Sequence, residues 1–167
     1  MSELFKSTLL ITWRRNGAYA LRLVGDLSED QMIAQPVAGH VMNHPAWLMA
    51  HLNCYNEVIA RMLRRQLKDD PVDHPFGMKS TPSAAASDYP QRAMAIEAYR
   101  RSHDDAEQAL QEADEGVFSE PAPLPRWRTA HPKIADMALM LMSKHESLHL
   151  GQLSAWRRAM GLPRVEM

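Results

Sequence analysis

Residues 133–160 read KIADMALMLMSKHESLHLGQLSAWRRAM, a stretch without glycine or proline apart from Gly151. In an α-helix each residue turns by about 100° from the one before it, so the direction of every side chain can be worked out. With Ile134 at 0°, Leu141 falls at about −20° and Leu148 at about −40°. Trp156 falls at about +40°. The segment is therefore predicted to be one long helix with an apolar stripe that faces a core.

Two histidines lie on the same side of this helix. His145 falls at about +20° and His149 at about +60°, both within the predicted core-facing stripe. Residues four apart on a helix stack one turn above each other, so two imidazoles at this spacing can reach one ion. The pair indicates a site for a divalent transition metal.

A third inward histidine lies on another predicted helix, residues 43–68. With His44 at 0°, His51 falls on the same face as the apolar residues of this helix (Trp47, Leu48, Tyr55, Ile59 and Met62). Three buried imidazoles without a common partner would leave several polar atoms unsatisfied. The sequence thus predicts a metal site at His51, His145 and His149, with further coordination positions left for water or substrate. Hydrogen-bonded core histidines are the alternative, and His44 is expected to cap its helix or to support the site.

Residues 145–149 also match the H-E-x-x-H pattern of zinc metalloproteases. The common extensions of that pattern are missing, because no histidine follows His149 and the only later acid is Glu166 in the tail. Glu146 falls at about 120°, at the edge of the predicted buried stripe. We therefore favour a metal site without protease chemistry.

Composition excludes several classes of protein. The chain has 167 residues, 46% of them hydrophobic and 23% charged, which suits one domain spanning residues 1–167. A net charge of −1 argues against nucleic-acid binding, and no apolar run is long enough to span a membrane. The single cysteine, Cys54, rules out an intramolecular disulfide. Because no secretion signal is visible at the start, we expect a cytoplasmic protein.

Proline clusters and turn signals divide the chain into four predicted helices. Two long connections that are rich in proline flank the third helix, one before it and one after it. Gly161 and Pro163 mark the end of the fourth helix. An all-α four-helix bundle with long crossover connections is the fold that this layout predicts. The predicted helices cover residues 2–26, 43–68, 91–113 and 133–160, and the connections cover residues 70–90 and 116–132.

Two segments resemble the metal-ligand segments of the DinB/YfiT-like superfamily. One is HPAWLMAHL at residues 44–52, and the other is the HxxxHLGQLxxxRRxxGLP pattern at residues 145–163. The resemblance implies a helical bundle, often a homodimer, that holds nickel or zinc, or else iron or manganese, through His51, His145 and His149. Better-characterised relatives are S-transferases that use low-molecular-weight thiols, thiol-dependent isomerases and a hydrolase.

We therefore expect a metal-dependent enzyme, a thiol-dependent S-transferase that acts on small electrophiles. A metal-dependent hydrolase and a non-catalytic metal-binding protein related to stress are the alternatives. A small-molecule substrate, a low-molecular-weight thiol and a second copy of the chain are the expected partners.

Five further side chains are candidates for roles at the site. Tyr55 follows His51 by one turn and is expected to donate a hydrogen bond to the reacting species. His103, on the apolar face of the third helix, is a candidate general base. Arg126 and Arg128 are candidates to bind the carboxylate of a thiol. Cys54 is either a soft metal ligand or a small buried apolar residue.

Overall fold

The structure, a computed structural model, describes residues 2–166, and this part of the chain is helical with no β-strand. None of its helices combines the length and the hydropathy that crossing a membrane would require. The helices are α1 (Ser2–Val24), α2 (Glu29–Met32), α3 (Pro45–Leu63), α4 (Arg92–Glu112), α5 (Ile134–Leu139) and α6 (Glu146–Ala159), with a π-helical segment (Met140–His145) between α5 and α6.

Helix α3 begins where the sequence signals predicted but ends early. His44 is its N-cap, and the Nδ1 atom of that ring accepts a hydrogen bond from the Trp47 amide at 3.3 Å. Helix α3 was predicted to reach residue 68, yet it ends at Leu63. Arg65 adopts a left-handed backbone with φ of 59°, and its guanidinium binds Asp114 at 2.6 Å, which turns the chain away from the helix axis.

The long helices pack around two clusters of buried apolar residues. Helix α3 packs along α4, while α1 packs against both α4 and α6. Asn16 contacts Ser147, and about two turns further along α1 the Leu23 carbonyl accepts a hydrogen bond from Arg157, which follows Ser147 in α6. Helices α1 and α6 therefore run in the same direction. The largest fully buried side chains include Trp13, Trp156, Tyr55 and Tyr99.

The π-helical segment changes which residues of the last helix face the core. Helical backbone continues from α5 into α6, but the wider i→i+5 turns of the π segment rotate each residue by less than an α-helix does. The buried face of α5 centres on Ile134, at 0° on the uninterrupted scale. Leu153 is fully buried in α6 although that scale gives it about 100°. The π segment has therefore set the register back by about one residue.

This register shift corrects two predicted placements. Leu148 was placed in the apolar stripe, but its side chain is 57% exposed. Glu146, placed at the edge of the stripe, is 1% exposed. Setting the uninterrupted scale back by one residue, about 100°, gives about +20° for Glu146 and about −140° for Leu148, in agreement with their burial.

The two long connections are joined by an ion pair. Residues 64–91 contain short 3₁₀ turns, and residues 113–133 contain others, including Pro125–Trp127. Asp70 in the first connection binds Arg126 in the second through two hydrogen bonds of 2.5 and 3.0 Å. Met78 and Ser80 of the first connection and Trp127 of the second line the same pocket as the three predicted metal ligands.

Candidate metal centre

The Nε2 atoms of the three predicted ligands lie close together. The Nε2 atom of His145 lies 3.1 Å from that of His51 and 3.2 Å from that of His149. Each of these residues offers a ligand atom within 4.8 Å of the other two. His51 comes from α3, His145 ends the π segment and His149 lies one turn into α6. The sequence prediction that these residues converge is confirmed.

Hydrogen bonds at the far side of two rings direct their lone pairs inward. His51 donates from Nδ1 to the Phe76 carbonyl at 2.7 Å, and His149 donates from Nδ1 to Oε1 of Gln152 at 2.9 Å. A neutral imidazole has one N–H, so these bonds leave both Nε2 atoms unprotonated. Two lone pairs therefore point at His145, which can donate to only one of them.

Gln152 is itself held in position. Its Oε1 atom also accepts a hydrogen bond of 3.1 Å from the Asn43 amide, at the start of α3. The amide of Asn43 therefore fixes which atom of Gln152 faces His149. Sequence reasoning overlooked both residues, although Gln152 follows His149 by three positions and residues at that spacing are neighbours on a helix.

The spacing of the nitrogens suits a metal ion. An ion that binds imidazoles at about 2.0–2.1 Å holds neighbouring nitrogens about 2.8–3.4 Å apart in octahedral or tetrahedral geometry. The two measured separations, 3.1 and 3.2 Å, fall in this interval. A cation also satisfies all three lone pairs, which a single shared proton cannot do. The residues present thus fit a divalent transition-metal ion.

Burial keeps the three imidazoles neutral. Desolvation lowers the pKa of His145 to about 2, with further lowering from the nearby His149 and His51. Desolvation also lowers the pKa of His51 to about 4 and the pKa of His149 below its usual value. Because a histidine binds metal in its neutral form, all three are ready to bind at neutral pH.

A pocket of about 440 Å³ opens onto these nitrogens. The Trp47 ring stacks on His51 with 4.6 Å between ring centroids, and the Tyr55 ring lies 4.7 Å from that of His145. Among residues 2–166, those that line the pocket are Asn43, Trp47, His51, Tyr55, Met78, Ser80, Trp127, Met140, His145 and His149. Tyr55, a candidate from the sequence, therefore lies in the same pocket as the three histidines.

Glu146 points away from this pocket. Its carboxylate accepts a hydrogen bond of 2.6 Å from the Tyr99 hydroxyl in α4, and burial raises its pKa to about 8. An H-E-x-x-H protease needs this carboxylate beside the open side of the metal. The register shift of the π segment has instead turned Glu146 into the core, which removes the support for that alternative.

His103 lies in a different part of the molecule. Its ring stacks on Trp13 with 4.0 Å between centroids and lines a cavity of about 290 Å³ between α1 and α4. Its Nε2 atom is 3.7 Å from the Glu146 carboxylate, and burial lowers its pKa to about 4. The structure therefore does not bring His103 together with the three metal-binding histidines.

The remaining candidates lie beside or outside the pocket. Arg126 stacks on Trp127 at 4.3 Å but is paired with Asp70, and Arg128 donates a 2.6 Å hydrogen bond to the Ala122 carbonyl. Cys54 is buried away from the three ligands, and desolvation raises its pKa to about 11. That environment agrees with a small buried apolar residue.

These features define an all-helical protein with three histidines placed to hold one metal ion. The family model described as the DinB superfamily matches residues 12–153, a range that contains all three histidines. The chain therefore belongs to the DinB superfamily. Comparison with curated proteins and with solved structures finds no match.

Proposed function

We propose that this chain is a metal-dependent enzyme of the cytoplasm, a thiol-dependent S-transferase that acts on small electrophiles. Residues 1–167 would form one domain, a four-helix bundle with long crossover connections, that binds one divalent ion through His51, His145 and His149. Nickel and zinc suit an all-imidazole site best, with iron and manganese as further choices. The observation that carries the proposal is the meeting of three neutral imidazole nitrogens at the floor of a ligand-sized pocket.

Three protein ligands leave part of the coordination sphere of such an ion for a small molecule. When bound there, the ion would make a thiol or a water acidic enough to supply its anion near neutral pH. In the transfer, the thiol would release its proton to solvent, and its sulfur would form a bond to the electrophilic carbon. The bond between that carbon and its leaving group breaks, and the leaving group takes the electron pair.

Tyr55 is the residue that we assign to the leaving group. Burial raises the pKa of its phenol, so the hydroxyl keeps its proton at neutral pH and can donate a hydrogen bond. The ring lies against both His51 and His145, at 4.8 and 4.7 Å. A Tyr55→Phe variant should keep its metal and lose transfer activity.

The distinguishing experiment measures transfer with each component omitted in turn. Turnover of an electrophile should require both a divalent metal and an added thiol, and it should disappear in the His145→Ala variant. Arg126 and Arg128 stay predicted contacts for a thiol carboxylate. If they act in that way, replacing both with alanine raises KM for a carboxylate-bearing thiol more than it lowers kcat.

The same experiment separates the alternatives. Metal-dependent cleavage of an ester or amide without any thiol would favour the hydrolase. Fully metallated protein that is inactive across a broad set of electrophiles and esters would favour a non-catalytic metal-binding protein. The proposed partner in assembly is a second copy of the chain, as the family resemblance implies.

A further inference from the structure

Three polar side chains in the pocket wall, those of Asn43, Trp47 and Ser80, are engaged with other protein groups. The Trp47 indole donates a 3.1 Å hydrogen bond to the Ser80 hydroxyl, which in turn donates to the Gly77 carbonyl at 2.8 Å. The Asn43 amide donates to Gln152. A ligand in the pocket would have to break one of these bonds to use the same donor.

Arg126, which contacts two residues of the pocket wall, is engaged in the same way. Its Nε and Nη2 atoms bind the two oxygens of Asp70, and its Nη1 atom contacts the Met78 sulfur at 3.4 Å. One face of the guanidinium is covered by the Trp127 ring. A ligand carboxylate would therefore have to displace Asp70, and it would meet that negative charge as it approached.

The remaining wall is apolar and largely aromatic. Trp127 and Tyr55 present nearly parallel rings, with 5° between their planes and 6.2 Å between centroids. Met78 and Met140 line the pocket as well, and thioethers make favourable contacts with aromatic rings. Aromatic walls of this kind gain most from a flat apolar group that can stack on them.

We infer that the ligand of this pocket carries an uncharged aromatic body, with its sulfur directed towards the three Nε2 atoms. Its class is the arylalkyl thiol, and Trp127 is the residue that sets this preference. The inference rests on the proposed function for the metal-binding histidines. It opposes the prediction that Arg126 and Arg128 select a carboxylate-bearing thiol.

Three thiols that share a saturated carbon next to sulfur provide the test. Phenylmethanethiol, 3-mercaptopropionate and 2-mercaptoethanol are titrated calorimetrically into zinc-loaded protein. Because the sulfur end is alike in all three, differences in Kd report on the body of the ligand. Phenylmethanethiol should bind at least about tenfold more tightly than the others, as expected for burial of roughly 60 Å² of apolar surface at about 25 cal/mol per Å². Equal or tighter binding of 3-mercaptopropionate would overturn the inference.

Variants then locate the preference. Trp127→Ala should weaken the binding of phenylmethanethiol about tenfold and change the Kd of 2-mercaptoethanol by no more than about twofold. Trp127→Phe should restore most of the affinity for phenylmethanethiol. Asp70→Asn should free Arg126 from its ion pair and tighten the binding of 3-mercaptopropionate but not of the other two thiols. Met94→Ala, at an exposed position of α4 outside the pocket, is the control and should leave the affinities of all three thiols unchanged. A Trp127→Ala variant that binds all three thiols as the wild type does would refute the assignment.

Failure of the proposed function has a separate signature. Metal content is measured before each titration, so a protein without an ion is detected directly. The walls of the pocket do not depend on the ion, so the preference for the aromatic thiol over 3-mercaptopropionate should persist in metal-free protein, at weaker affinity. If that preference is present but no transfer occurs, the catalytic proposal fails and the ligand class stands.

Discussion

Replacing Gln152 with leucine tests how the metal site is supported from outside. The change keeps the size of the side chain and removes the oxygen that accepts from His149 at 2.9 Å. The His149 ring then loses the bond that keeps its proton on Nδ1 and its lone pair directed at His145. Loss of such a supporting bond typically weakens metal binding 10- to 100-fold, or about 1.4–2.8 kcal/mol.

Zinc affinity, measured by competition with a chromophoric chelator, is the assay. Gln152→Glu keeps an acceptor and should bind zinc at least as tightly as the wild type. Gln108→Leu, which removes an exposed glutamine that bonds Glu112 on α4, is the matched control and should have no effect.

A double-mutant cycle extends the test to Asn43, which acts through Gln152. Asn43→Leu should weaken zinc binding in the wild-type background and have no added effect on top of Gln152→Leu. Zinc affinity within twofold of wild type in Gln152→Leu would refute the reasoning.

Three further predictions concern packing, pH and assembly. Gly17→Ala should lower the free energy of unfolding by about 1–3 kcal/mol, because the added Cβ would lie 2.5 Å from the His103 ring. Gly151→Ala, where a Cβ would meet nothing within 4 Å, should raise the free energy of unfolding slightly. Thermal melts of the two variants measure both effects. Burial lowers the pKa of His103 to about 4, whereas its pKa in the unfolded chain is near 6.5. The neutral ring therefore contributes fully to the free energy of unfolding above pH 6.5, and about 3 kcal/mol of that contribution is lost as the pH falls towards 4. Urea titrations of wild type and His103→Gln should therefore converge between pH 7 and 4.5, and a constant difference would contradict this. Sedimentation should show a dimer, and a single monomeric species at high micromolar concentration would exclude it.

Much of the site could be predicted because helical periodicity depends only on local sequence. The i, i+4 spacing of His145 and His149 fixes their relative direction whatever the rest of the chain does. His51 could be placed with them because the apolar face of α3 is continuous and its helix is regular from Pro45 to Leu63. The three ligands needed no tertiary information beyond the assumption that apolar faces meet.

The π segment is the feature that sequence reasoning missed, and it accounts for the largest errors. A wheel with a constant 100° step cannot contain an interruption, so the burial of Glu146 and the exposure of Leu148 both came out wrong. No residue in Met140–His145 breaks a helix as proline does. The change in register follows from packing, since it lets both Ile134 and Leu153 be buried, each in one of the two apolar clusters.

Partners from distant parts of the chain were also beyond sequence reasoning. Asp70 and Arg126 are joined only because two irregular connections meet above the pocket, and their backbone follows no repeating pattern. His103 was placed correctly on an apolar face but assigned to the wrong cavity. A helix wheel gives the direction of a side chain relative to its own helix and does not identify the neighbouring helix.

Metal content of untagged protein is the most direct test of the central claim, that His51, His145 and His149 bind one ion together. Elemental analysis should find about one divalent transition-metal ion per chain. The His145→Ala/His149→Ala double variant should retain none, while His74→Ala and His131→Ala, which alter histidines outside the cluster, should retain it in full. Unchanged metal content in the double variant, or a wild-type protein that binds no divalent ion after dialysis against excess metal, would contradict the account.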